Sequence, residues 1–243
     1  MDETLCDTMR ANQQAKHHLA LATQDMFNKP FDGKVFADAY VRGIYREWTD
    51  AQRNKYTPII KQQSESVFRV QLITDLLFEQ TAKNVNAGVA IELQNQFDHD
   101  RLEAFDFYPG ITDFLASARE LFTLVVITNG PEYSQIPKIE AVNLAEYVDH
   151  IIIGGQEPEE KPARTIFDKA LQLANCKASE AIHVGDSLAA DIAGAHNSGI
   201  TSVWIQHQQP LDAELGINPN HILLHPSEIP GFIDQLSNES LSN

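Results

Sequence analysis

The chain has 243 residues, 43% of them hydrophobic, enough to bury one large core or two modest ones. Its 34 Asp+Glu against 18 Lys+Arg leave a formal net charge of −16, which argues against nucleic acid or an anionic membrane as a partner. Two cysteines, Cys6 and Cys176, make no disulfide framework and suit a reducing cytoplasm. No apolar run approaches the ~20 residues of a membrane-spanning helix, and the N-terminus lacks the basic and apolar segments of a signal peptide.

An acidic, turn-like start, Met-Asp-Glu-Thr-Leu, leads directly into a helical pattern. Apolar spacing predicts helices over 8–27, 34–50, 64–81 and 88–105, with Val67, Val70, Ile73 and Leu77 as the stripe of the third. No alternating β-branched run separates them, so this block reads as a small helical bundle and a separate module.

From Tyr108 the pattern changes. A helix is predicted over 111–121, then an apolar strand over 122–127 that ends in Thr128-Asn129-Gly130. A helix over 132–144 and a strand over 151–153 follow. The acidic loop 156–160 precedes Lys161-Pro162, which opens a helix running to about residue 174. A strand over 181–184 ends in Gly185-Asp186, a helix starts at once, and a strand over 201–205 comes next; a short strand over 222–224 and a helix over 230–236 close the chain. This alternation predicts an α/β domain built on a doubly wound parallel sheet.

Ligands of such sheets bind beyond the carboxyl ends of the strands. Three of those ends carry polar groups here. Thr128 offers a hydroxyl followed by backbone N–H groups suited to an anion, Lys161 is a cation in an acidic stretch, and Asp186 with Asp191 can hold a hard cation through oxygen. Singly, each has a plainer reading: Thr128 as a turn residue, Lys161 as a solvated lysine, Asp186 as a helix cap, Asp191 as a first-turn charge. On successive strands of one sheet they read as a site.

This ordered set resembles the haloacid dehalogenase-like hydrolase superfamily, mostly phosphatases. The matching residues are Ile127-Thr128-Asn129-Gly130, Glu160-Lys161-Pro162, and Gly185-Asp186 with Asp191 five residues on. Asp2-Glu3-Thr4-Leu5 looks like the tail of the superfamily's first motif, Asp-x-Asp-x-Thr, and stretches 157–162 and 185–199 are similar to the branch of N-acylneuraminate-9-phosphatase and pyrimidine 5′-nucleotidases. The resemblance implies a Rossmann-like core domain made of residues 1–7 and 105–243, with residues 8–104 inserted as a helical cap. It implies Mg²⁺ held by the Asp2 backbone carbonyl, Asp186 and Asp191. Phosphoryl oxygens are then held by Thr128, Asn129 and Lys161, with Lys161 neutralising their charge and the Asp2 carboxyl as general acid and base. The expected substrate is a small phosphate ester, a nucleotide or sugar phosphate.

One part of the pattern is absent. The attacking aspartate belongs two positions before Asp2, one residue ahead of Met1, on an apolar strand central to the family's sheet. The expectation is a start assigned too late, at an internal methionine, so that the first core strand is missing. The alternatives are a non-catalytic protein that binds a phosphorylated ligand or partner, and a haloacid dehalogenase, whose chemistry needs no metal.

Overall fold

A computed structural model describes residues 1–27, 29–207, 209 and 216–240. The chain divides into two compact units, Met1–Thr8 with Phe105–Asn243, and Met9–Ala104.

The second unit is helical: α1 (Thr8–Met26), α2 (Gly33–Ile44), α3 (Asp50–Gln62), α4 (Glu65–Thr81) and α5 (Ala87–Glu103). Side chains placed at the starts satisfy otherwise orphaned N–H groups. Asp32 accepts from the Val35 N–H, Ser64 from Val67 and Asn86 from Gly88. The core joins Phe36 and Tyr40 of α2, Phe68, Leu72, Ile73 and Leu77 of α4, and Phe97 of α5. Tyr40 and Phe97 meet edge to face at 5.1 Å. Replacing Phe97 by alanine should cost about 3–5 kcal/mol, as other buried Phe→Ala changes do, and a shifted urea midpoint will read it.

Two expectations for this block need correction. The buried face of α4 runs through Phe68, Leu72, Ile73, Leu76 and Leu77, whereas Val67 is exposed. Helix α3 lies outside the predicted helices, because it buries only Tyr56 and carries Pro58 inside, so it shows little apolar rhythm. Its signal was the capping box, Thr49 and Gln52 bonded reciprocally at its start.

The first unit alternates strand and helix: α6 (Ile111–Ala118), β1 (Val125–Thr128), α7 (Glu132–Ala141), β2 (His150–Ile153), α8 (Arg164–Ala174), β3 (Ile182–Gly185), α9 (Ala193–Ser198), β4 (Thr201–Ile205), β5 (His221–Leu223) and α10 (Ile229–Ser240). Strand β1 starts later than expected, since the N–H groups of Leu121 and Phe122 still bond to the Ala118 carbonyl and finish the helical turn. Among the described residues all pairings between these strands are parallel, as the alternation requires. Thr128 stands opposite Ile153, and Gly185 opposite Trp204.

The pairings form two sheets, β1-β2 and β3-β4-β5. Among the described residues, β1 and β3 each have a strand on one edge only. One core lies under strands and helices of this unit, with Ile127, Ile152, Ile166, Phe167, Ala195 and Ile200 packed together. Among the described residues no helix is long and apolar enough to cross a membrane.

Candidate active site

The polar groups at the carboxyl ends of β1 and β3 converge through Lys161. Its ammonium, 8% exposed, donates to the Ile127 carbonyl of β1 at 3.0 Å and to Asp191 Oδ1 at 2.6 Å. His183 Nε2, on β3, lies 3.0 Å from the same oxygen, and the Ser187 N–H donates to Asp191 Oδ2 at 3.0 Å. Lys161 thus links the edge of one sheet to the other.

Local backbone explains how Asp191 gets there. In place of a regular helix start after Asp186, residues Leu188–Ile192 form a π-turn, a device frequent at functional sites. It brings the Asp191 carboxylate back against β3. Gly185 makes room, because a Cβ there would lie 2.2 Å from Asp191 Cγ. Burial alone would raise the Asp191 carboxyl, but the His183 hydrogen bond and the Lys161 ammonium hold it well below the usual range. Burial pushes His183 down, against the pull of Asp191.

Asp186 is in a different state. Trp204, fully buried, donates its indole N–H to the Asp186 backbone carbonyl at 2.8 Å, and the Thr4 hydroxyl donates to Oδ1 at 3.0 Å. Burial and the Asp191 carboxylate push Asp186 above its ordinary value. Both Asp191 oxygens are engaged, so Asp186 is the carboxylate of the pair better placed to meet a cation.

Asp2 is held by groups that sequence reasoning missed. Lys138, 8% exposed on α7, donates to both carboxylate oxygens at 3.0 and 2.9 Å, and the Thr8 hydroxyl donates to Oδ1 at 2.8 Å. Burial works against ionisation of Asp2, yet Lys138 and the neighbouring Met1 α-amino group hold it below the usual range. That α-amino group is itself buried and feels the charges of Lys161, Asp2, Asp191 and Asp186. Burial first, and then Lys161, lower it, against the three carboxylates.

Thr128 and Asn129 are already occupied. The Thr128 hydroxyl donates to Gln135 Oε1 at 3.0 Å, both residues being buried. The Asn129 side chain clamps the lysine loop, its Nδ2 donating to the Lys161 carbonyl at 2.9 Å and its Oδ1 accepting from the Lys161 N–H at 3.0 Å. Gly130, at φ 110°, donates its N–H to Glu160 Oε1 at 3.0 Å. Asn129 thus uses its side chain to fix Lys161.

Lys138, Gln135, His183 and Trp204 escaped the sequence because each acts on a residue outside its own element, from seven positions away for Gln135 to 136 for Lys138. Lys138 and Gln135 lie on a helix that reads as surface, and neither sits at a strand end. The weak signal for His183 was a polar residue inside the apolar run 181–184.

Comparison with known proteins gives a consistent picture. A family model described as haloacid dehalogenase-like hydrolase matches residues 1–205. Rat (Rattus norvegicus) N-acylneuraminate-9-phosphatase is 24% identical over 237 residues, covering 97% of this chain and 92% of its own length. Glyceraldehyde 3-phosphate phosphatase of Pyrococcus furiosus is 29% identical over 248 residues, covering 100% and 93%. Among solved structures, a magnesium-bound HAD-hydrolase of Bacillus subtilis has the same fold, with a TM-score of 0.65 at 17% identity over 96% of this chain and 95% of that one.

Proposed function

The chain belongs to the haloacid dehalogenase-like hydrolases, and from that footing we propose that the complete protein is a magnesium-dependent phosphatase of a small phosphorylated metabolite, a nucleotide or a sugar phosphate. The observation that carries this reading is the buried Lys161 ammonium, fixed by Asp191 at the carboxyl end of β1, with a second, part-buried carboxylate, Asp186, coupled to Asp191. A cation there can neutralise charge spread over phosphoryl oxygens in the transition state. The names of the two relatives support a small phosphate ester as substrate.

The residues fit a hard divalent cation. A part-buried carboxyl pushed toward protonation by desolvation and then by a second carboxylate gains from a cation bound through oxygen. In this reading Asp186 and the Asp2 backbone carbonyl would hold Mg²⁺, while Asp191 anchors Lys161. The ion supplies the charge that lets a carboxylate approach an anionic phosphate.

The nucleophile is proposed to be an aspartate just ahead of Met1 in the complete protein, on a strand lying between β1 and β3. Its carboxylate oxygen bonds to phosphorus as the ester P–O bond breaks, and the Asp2 carboxyl gives its proton to the leaving oxygen. In the second step Asp2, now a carboxylate, takes a proton from water as the water attacks phosphorus, which releases phosphate and regenerates the nucleophile. Lys138 and Thr8 favour that carboxylate form. The share of the Met1 α-amino group in lowering Asp2 disappears once Met1 follows a peptide bond, which eases the first step.

The helical residues 8–104 are proposed as a cap that admits small esters and excludes water during reaction. Their position in the chain, between the first motif and the sheet, supports this. A panel of nucleoside monophosphates, sugar phosphates and phosphopeptides, assayed on the complete protein with and without EDTA, tests the reading. We expect hydrolysis of small esters only, and its loss on chelation. Undiminished activity in EDTA would remove the metal from the reading, and preference for phosphopeptides would remove the cap argument.

A further inference from the structure

Within the helical unit, two helices bring together a set of ligating side chains that takes no part in the chemistry above. On α5, His99 and Glu103 are four residues apart and so share a face, with His99 Nε2 3.8 Å from Glu103 Oε2. Asp100 lies between them in sequence, and one ligand atom from each of His99, Asp100 and Glu103 falls within 4.8 Å of the others. From α1, His18 brings its Nδ1 to 3.2 Å from Asp100 Oδ2. We propose that His18, His99, Asp100 and Glu103 form a binding site for a zinc-class divalent transition-metal ion that ties α1 to α5.

Four features support it. A tetrahedral ion with bonds of about 2.0–2.1 Å sets its ligands about 3.3 Å apart, close to the separations already present in the His18–Asp100 and His99–Glu103 pairs. Two imidazoles with two carboxylates are the donor mixture of zinc and its neighbours, and the two negative charges balance a divalent ion. Asp100, buried with 8% of its side chain exposed, is oriented by a further contact, Gln96 Nε2 donating to its other oxygen at 2.7 Å. The site also lies in the last turn of α5, where unpaired carbonyls favour a cation.

The test uses the 243-residue protein stripped of metal, in excess Mg²⁺ to fill any oxygen site. Titration with Zn²⁺ by calorimetry and with Co²⁺ by visible absorption should show one ion per chain and a tetrahedral Co²⁺ spectrum. Zn²⁺ should also raise the melting temperature. His18→Ala and His99→Ala, both at exposed positions, should each weaken binding by more than the roughly 10-fold that losing an outer-shell partner costs. His17→Ala, on the neighbouring residue, should leave it unchanged. Absence of binding, or unchanged affinity in the His18→Ala/His99→Ala double variant, overturns the proposal.

Discussion

Extending the chain ahead of Met1 with an apolar strand that ends in aspartate should give a protein that hydrolyses p-nitrophenyl phosphate on the order of 10⁴-fold or more faster than the chain without it, the scale of losing a covalent nucleophile. The motive is the divided sheet. Among the described residues β1 and β3 each pair on one edge only, and Lys161 reaches across to take one β1 carbonyl. A strand of about 5–6 residues would supply partners to both edges. Buried N–H and C=O groups left without partners cost about 1–3 kcal/mol each, so the extended protein should also resist urea far better. Turnover by the chain as it stands, or by an extended variant carrying Asn at the added Asp position, would show that the nucleophile lies elsewhere.

In the extended protein, Lys161→Ala should lower kcat by roughly 10²–10³-fold, as removing a preorganised stabiliser of transition-state charge does. It should also destabilise the fold, by about 3–5 kcal/mol, because Asp191 is left as a buried charge without its ammonium. The double change Lys161→Met/Asp191→Asn removes both charges. It should recover much of the stability and none of the activity, which separates the two roles. The acid limb of stability gives a further readout. The folded Asp191 carboxyl sits below its unfolded value of 3.8, so its contribution is full above that pH and is lost as pH falls toward the folded value. That acid dependence should shrink in both variants. A rate near that of the parent after Lys161→Ala would mean the site has been misplaced.

The parts of this protein that could be read in advance are those fixed by short-range pattern. Apolar runs that stop at Thr128 and at Gly185-Asp186 locate strand ends whatever surrounds them, so Thr128, Lys161 and Asp186 could be named from spacing. What the pattern cannot carry is pairing between distant segments. Lys138 reaches Asp2 across 136 positions, and nothing near either residue announces it. The same holds for Trp204 beneath Asp186 and Thr4 above it. Asp191 could be found by its spacing from Asp186, but its geometry depends on a π-turn that its local residues do not signal. Helix α3 failed for another reason, since Pro58 and a polar surface hide the rhythm on which recognition of helices depends.

The Asn129 clamp also bears on how this protein ages in storage. Asn-Gly is the dipeptide most prone to deamidation, in which the glycine nitrogen attacks the asparagine side-chain carbonyl carbon and expels ammonia. Here both reacting groups are restrained, the Gly130 N–H by Glu160 and the Asn129 amide by the Lys161 backbone on two sides. Folding itself is thus the preservative at this step, and the damage should accumulate in whatever fraction of the protein is unfolded. Once formed, an aspartate at 129 would set a negative oxygen against the Lys161 carbonyl where a donor had been. Molecules that deamidate while unfolded would therefore refold with the lysine loop held through the Lys161 N–H alone.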